Sequence, residues 1–475
     1  MKRFGLRIST VMLGAFLAAS GCKHTGMVQK PASPLSVTSP GVAKVHVANL
    51  DSGKDESRDQ LKSLTLPDIV EIALKNNPAT RAAWADAQAS AAKHASAKGA
   101  YLPTIDLQGT VLHSKAVLQD ASTTYGPAAS LSYLLLDLGG RGGRVESLYQ
   151  AFVAAGLEHK AAIRDVTLTV EQAYFRYLAS KSLLVSLQVG LQEAQVNMDS
   201  AAGRHKAGLG TIADVLQGKT FYSRAKLALQ SAEGDVTVAR GLLALSMGLP
   251  ANMAYDARDN VGDIPVRPVT DKVETLIVRA VSNRADLAAA SAMVRSSEAH
   301  VIEVRGQSRP SLLASGTFGR TYTSGGESDN SYAGGLELTV PLFSGFSKGN
   351  DIKEASFLAM SQQERAKALE QRVIFEVFNA YFSLQTAVLR VETAGDMLTS
   401  ANQSHETSLA LYKQGLVTIT DLLSSQSLLA EARVQQISAR LAWLTSLSQL
   451  VHDVGTADTS TGNPFSSEIQ LQGEK

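Results

Sequence analysis

Between Arg144 and Lys206 apolar or small residues recur at alternating three- and four-residue steps: Ile163, Val166, Val170, Ala173, Tyr177, Ser180, Leu184, Leu187, Leu191, Ala194, Met198 and Ala201. That period is the seam of a coiled coil, not the broad face of a globular helix. No proline falls between Pro127 and Pro250. Roughly 60 residues of helix at about 1.5 Å each make a rod of about 90 Å. Gly208-Leu209-Gly210-Thr211 interrupts the pattern, and 214–245 reads as helix again. The stretch is a helical hairpin with a tight tip.

Before the rod the period shortens to two. Along 104–115, Ile105, Leu107, Gly109 and Val111 share one face, and Thr104, Asp106, Gln108 and Thr110 the other. A second strand, 125–135, sets Tyr125, Ala129, Leu131, Tyr133 and Leu135 on one face. Such alternation marks strands with one apolar and one polar side. An alanine-rich helix precedes them over about 68–100, opened by Thr65 or Pro67, ended by Pro103 and irregular at Asn77-Pro78. Gly139-Gly140-Arg141-Gly142-Gly143 lacks the Gly-Lys-Ser/Thr of a phosphate loop and reads as a flexible junction between strand and helix.

The second half repeats the first. One offset of 207 residues carries Asn76 to Asn283, Pro103 to Pro310, Tyr125 to Tyr332, and Ala173-Tyr174-Phe175 to Ala380-Tyr381-Phe382. It also carries Lys206 to Lys413, Gly208-Leu209 to Gly415-Leu416, Asp214 to Asp421 and Gly248 to Gly455, with no gap. The second copy therefore holds a helix over 272–306, strands over 311–323 and 332–342, a long helix, a tip at Gly415-Leu416-Val417-Thr418, and a returning helix to about Val454. The expected plan is a signal (1–21), a tether (22–63), repeat 1 (64–250), a linker (251–270), repeat 2 (271–457) and a tail (458–475).

Four two-faced strands are too few for a spanning barrel. An open sheet edge is not tolerated in lipid, and membrane barrels begin at about eight strands. Two chains would give about eight strands and three about twelve. The long seams also need lateral partners, so the pattern points to an oligomeric tube with strands at one end and two helical tips at the other.

Composition narrows the function. A net charge of +1 over 475 residues leaves no basic footprint for nucleic acid. The single cysteine, Cys22, excludes an intramolecular disulfide. No run of eighteen apolar residues follows the signal, so no transmembrane helix is expected. There is no HExxH, no paired cysteine ligands and no nucleophile constellation. His205 reads as a solvated polar residue. The expectation is no enzyme, no metal and no cofactor. Lys2, Arg3 and Arg7 precede the apolar 8–17, and Ala19-Ser20-Gly21-Cys22 resembles a bacterial lipobox, with alanine in place of the usual leucine. That resemblance implies a lipid on Cys22. Lys23, in place of aspartate, implies sorting to the outer membrane.

The repeated helix-strand-strand-helix order and the two tip motifs, Lys206 to Asp214 and Tyr412 to Asp421, together resemble a TolC-type outer membrane factor of the lipoprotein subclass. The Leu342-Phe343-Ser344-Gly345 strand exit fits as well. The resemblance implies a homotrimer in a Gram-negative outer membrane. Its fold is a twelve-stranded β-barrel, four strands per chain, continuous with a long periplasmic α-helical coiled-coil barrel. It implies an exit duct for small molecules or drugs, with a periplasmic adaptor (membrane fusion) protein and an inner-membrane pump of RND or ABC type as partners. Type I protein secretion is the alternative within this architecture, and a structural coiled-coil surface lipoprotein is the alternative of another class.

Two roles stay open for Asp214 and Asp421: capping the helices that follow the tips, or forming a carboxylate ring at the entrance. By the resemblance, Asp421 lines the constriction and Ser424 replaces a second aspartate. Asp214 and Tyr412 match two gate participants, and Val417 stands where an arginine is expected. Gly208 and Gly415 supply the turns, and Leu209 and Leu416 become the docking tips for the adaptor.

Overall fold

The computed structural model describes residues 64–115, 121–258, 265–266, 269–324, 326 and 328–455. The signal, Cys22, the tether and the tail lie outside the described residues. The first half runs α1 (Leu66–Asn76), α2 (Pro78–Lys98), β1 (Thr104–Ser114), β2 (Ser122–Leu136), α3 (Gly140–Lys206) and α4 (Ile212–Ser246). The second half has the same order: α5 (Val273–Asn283), α6 (Ala285–Gln307), β3 (Ser311–Thr323), β4 (Ser328–Thr339), α7 (Ser347–Gln414) and α8 (Ile419–Val454). Among the described residues, no helix is long and apolar enough to cross a membrane.

Each half opens with a broken helix. Thr65 caps α1 through a reciprocal pair with Asp68, its N–H and Oγ1 lying 2.9 and 2.6 Å from Asp68 Oδ2. Asn77 ends α1 in extended conformation, and its Oδ1 accepts the Ala79 N–H at 2.8 Å to start α2 at Pro78. Asn77 Nδ2 donates to Ser246 O at 2.9 Å, which ties the break to the end of α4. In the second half one continuous helix was expected over 272–306. Instead the chain breaks at Arg284, the position equivalent to Asn77, without any proline. Arg284 holds this break by donating to both Asp286 oxygens at 3.0 and 2.7 Å and to Glu376 at 2.6 Å. Both breaks rest on a left-handed glycine, Gly248 at φ 74° and Gly455 at φ 76°, close to Asn76 and Arg284 respectively.

The glycine cluster before α3 is not a flexible junction. Only Leu138 and Gly139 are left-handed, and Gly140, Gly142 and Gly143 lie inside α3. A Cβ at Gly143 would overlap the backbone of Glu303, and one at Gly306 would overlap that of Gly140. The glycines let α3 and α6 touch backbone to backbone. Arg141 staples the strand exit by donating to Leu134 O at 2.6 Å and Leu135 O at 3.2 Å.

α3 and α7 run unbroken for 67 and 68 residues, about 100 Å each at the helical rise. Every residue of the α3 seam is buried or half-buried. The largest apolar cluster gathers Ile69, Tyr174, Phe175, Leu243, Leu276, Leu384, Trp443 and Leu450 from α1, α3, α4, α5, α7 and α8.

The strands form one antiparallel sheet in the order β1-β2-β3-β4, which leaves β1 and β4 as its edges. β2 starts at Ser122, earlier than expected, and β4 ends at Thr339, short of Leu342. Leu107, Ala129, Phe318 and Tyr332 align across the sheet in one row, and Asp106, Ser130, Thr317 and Ala333 in the next. Since neighbouring rows point to opposite faces, one face is apolar and the other polar, as the period of two predicts.

Candidate functional site

The two tips are built alike. Gly208 (φ 75°) and Gly415 (φ 80°) turn the chain in a conformation that a side chain disfavours. A Cβ at Gly208 would meet nothing within 4 Å, so there the backbone angle alone calls for glycine. Thr211 then caps α4: its N–H donates to Asp214 Oδ2 at 2.8 Å and its Oγ1 accepts the Asp214 N–H at 3.3 Å. Thr418 and Asp421 repeat this at 2.9 and 3.3 Å, with a further 2.6 Å contact from Thr418 Oγ1 to the carboxylate. Both aspartates are therefore capping residues. The hydrogen bonds from the Thr418 hydroxyl and N–H hold the Asp421 carboxyl below its ordinary pKa while it stays fully exposed.

Leu209 and Leu416 are 69 % and 68 % exposed. Ser424 is exposed one turn along α8. Val417 leans on a small cluster of Ala201, Tyr412, Ile419 and Leu422, the core of the second tip. Tyr412 is buried there. Burial raises its phenol pKa, the Asp214 charge adds to that, and Arg204 opposes it.

Sequence reasoning missed Arg204. Its guanidinium lies 5.0 Å from the Tyr412 ring centroid and donates to Tyr412 O at 3.0 Å and Leu209 O at 3.4 Å. One side chain thus binds both tips, with Thr420 Oγ1 to Gln217 Oε1 at 3.3 Å as a second link. A signal existed: a cation one turn before the first tip glycine has Leu411, not a cation, at the matching position of the second half. His205 stays exposed, its Nδ1 3.2 Å from Gly210 O.

Behind the tips a polar layer joins α3 to α8. Buried Asn197 Nδ2 donates to Gln426 Oε1 at 2.7 Å, and Arg433 grips Glu193 with two bonds of 2.9 and 3.1 Å. Farther along, His452 lies between Asp165 (2.8 Å) and Asp453 (2.9 Å). Burial lowers its pKa, but these two carboxylates outweigh that and carry it to about 9. Glu171 is buried nearby, and desolvation pushes its carboxyl up to about 7. Among the described residues no group of His, Cys, Asp and Glu is arranged to hold a metal.

The chain joins a four-stranded sheet with one apolar face to two long helical hairpins, a fold shared with solved outer-membrane channels. The chain belongs to the outer membrane efflux protein family, whose sequence profile matches residues 69–249 and again 276–456. Protein CyaE of Bordetella pertussis is 25 % identical over 86 % of this chain and 87 % of its own length. Outer membrane protein TolC of Escherichia coli is 22 % identical over 82 % of each chain. A crystal structure of a membrane protein from Pseudomonas aeruginosa shares the fold, with a TM-score of 0.74 and 20 % identity over 82 % of this chain and 93 % of that one. The protein is an outer-membrane channel with a transport role.

Proposed function

We propose that three copies of this chain assemble into the exit duct of a tripartite efflux system that carries small molecules from the periplasm, or from an inner-membrane pump, to the exterior. The single observation that carries the reading is the open sheet. β1 and β4 have unpaired edges beside a mainly apolar face, and joining β4 of one copy to β1 of the next closes a barrel of about twelve strands. The helices supply a second argument. α7 exposes Phe375, Phe378, Phe382 and Leu389 along one side, and α4 exposes Leu216, Leu227, Val238 and Leu245. Two different uncovered stripes on one chain suit a head-to-tail ring. The matching halves are read as an internal duplication.

In this assembly Cys22 carries the lipid that anchors the chain. Gly208, Leu209, Gly415 and Leu416 form the docking tips for a periplasmic adaptor, and Asp421 and Ser424 line the entrance. Asp214, Tyr412 and Val417 belong to the gate. Because Asp214 is already engaged by Thr211 and Tyr412 lies under Arg204, opening turns on the Arg204 clamp as well as on contacts between chains.

Cysteines placed at Leu209 and Leu416, cross-linked in cells and followed by mass spectrometry, test the reading. Capture of the adaptor of a proton-driven RND pump is expected. Capture of the adaptor of an ABC protein exporter moves the assignment to type I secretion. Capture of neither, with no channel activity in bilayers, contradicts the duct.

A further inference from the structure

Charge on the sheet is sorted by face. The described strands contain three carboxylates, Asp106, Asp329 and Glu337, and one guanidinium, Arg320. The pairing places Asp106 in a row with Ser130, Thr317 and Ala333, and Asp329 opposite Thr321. Glu337 lies an even number of residues from Ala333 on β4, so all three carboxylates share the polar face. All three are exposed. Arg320 falls in the apolar rows with Phe318 and Tyr322. There its guanidinium lies 5.4 Å from the Tyr322 ring centroid and donates to Ser328 Oγ at 3.1 Å, close to the β3–β4 turn. The cation is led along the outer face towards the turn end. Among the described strand residues, the polar face carries its three carboxylates and no Lys or Arg.

The sorting matters once the sheet is curled. In a closed barrel the apolar face meets lipid and the polar face becomes the wall of the bore. Asp106 and Glu337 lie near the helix-side ends of β1 and β4, the two edge strands, so closure sets them on either side of every seam between chains. Asp329 lies near the turn end. Fixed charges of one sign on a low-dielectric wall focus their field into the water they enclose. At physiological salt that field reaches about 8 Å from each carboxylate.

We propose that Asp106, Glu337 and Asp329 make the barrel wall a cation-preferring stretch of the conduit, separate from the tip carboxylates, which favours passage of ammonium-bearing solutes over anions. This rests on the duct reading above. It assigns selectivity to a place distant from the entrance, where one carboxylate is already committed to capping α8.

The test is the reversal potential of the full-length protein in planar bilayers under a potassium chloride gradient. The wild-type channel is expected to pass potassium in preference to chloride. The triple variant Asp106→Asn, Asp329→Asn, Glu337→Gln is expected to lose that preference several-fold. A triple variant that conducts with the wild-type permeability ratio overturns the inference and leaves the duct reading intact. So does a wild-type channel that prefers anions. Absence of wild-type channel currents removes the duct reading and the inference with it. Glu337→Cys, modified after insertion, separates charge from folding. An anionic thiol reagent should restore the wild-type ratio and a cationic one should push it towards anions, whereas equal responses overturn the inference.

Discussion

α4 and α8 occupy the same place in the two halves of the chain and have opposite fates. Each follows a left-handed glycine and a Thr–Asp capping box. Yet Ile419, the first residue of α8, is 3 % exposed, and its equivalent Ile212 on α4 is 58 % exposed. α8 buries Leu422, Gln426, Leu429 and Trp443, whereas the equivalent Val215, Lys219, Tyr222 and Val236 on α4 are half-buried or exposed, and α4 leaves Leu216, Leu227, Val238 and Leu245 uncovered. The cause is placement. α8 packs against both long helices, α3 and α7, whereas α4 rests mainly on α3. Local sequence makes a cap and a helix equally well in both halves, and tertiary contacts decide which helix becomes core and which becomes wall.

Substitution at equivalent positions should expose this asymmetry most strongly. Leu422 is fully buried, so Leu422→Ala should destabilise the second tip by about 2–5 kcal/mol. Val215→Ala, at the half-buried equivalent on α4, should cost under about 1 kcal/mol. Hydrogen exchange of the tip peptides in urea reads both, and equal losses would erase the distinction.

Of the two helices, α8 should carry the stronger pH response, since Leu245 stands on α4 where α8 has His452. Two groups packed against one another there have folded pKa values raised above their ordinary ones: Glu171 from 4.5 to about 7 and His452 from 6.5 to about 9. A raised pKa means that the folded chain holds the proton more tightly, so the stability it brings is full at low pH and is lost as pH rises. Glu171 and His452 should therefore pull the melting temperature down as pH rises from about 5 to about 9, against the opposite pull of His94, His159 and His405, whose pKa values burial lowers. Glu171 accounts for a loss on the order of 3 kcal/mol by pH 7 and above. Glu171→Gln should flatten the lower part of the profile and His452→Gln the upper part. A Glu171→Gln or His452→Gln variant whose profile matches that of the wild type would contradict the packing described.

The smallest effect should be shared by both halves. Thr211→Ala and Thr418→Ala each remove one cap and should each cost about 1 kcal/mol, measured as faster exchange in the first turn of the following helix. A large difference between them would mean that the caps, rather than the packing, distinguish the tips.

Much of this architecture is legible in the residues. The seam from Ile163 to Ala201, the alternation around Leu107, and the glycines at both tips follow from periodicity and backbone freedom, which are local properties. The break at Asn77-Pro78 announces itself by its proline. The break at Arg284 does not, because it is held by Asp286 and Glu376, the latter far away in sequence. Gly140, Gly142 and Gly143 look like a loop because sequence does not reveal α6 lying against them. Arg204 leaves only the faint signal of a mismatch with Leu411, since Tyr412, which it clamps, lies on the other hairpin. The burial of α8 against α4 is hidden most completely, because the repeat that reveals the two helices also makes them look alike.

The duct proposal sets α8 at the entrance of the channel and the Leu227 stripe of α4 against a neighbouring copy, away from the bore. Single-channel recording from Asp421→Cys and Leu227→Cys, with a bulky charged thiol reagent added on the tip side, tests it most directly. Stepwise loss of current at Asp421→Cys with steady current at Leu227→Cys is the predicted result. Block at Leu227→Cys without block at Asp421→Cys would contradict it.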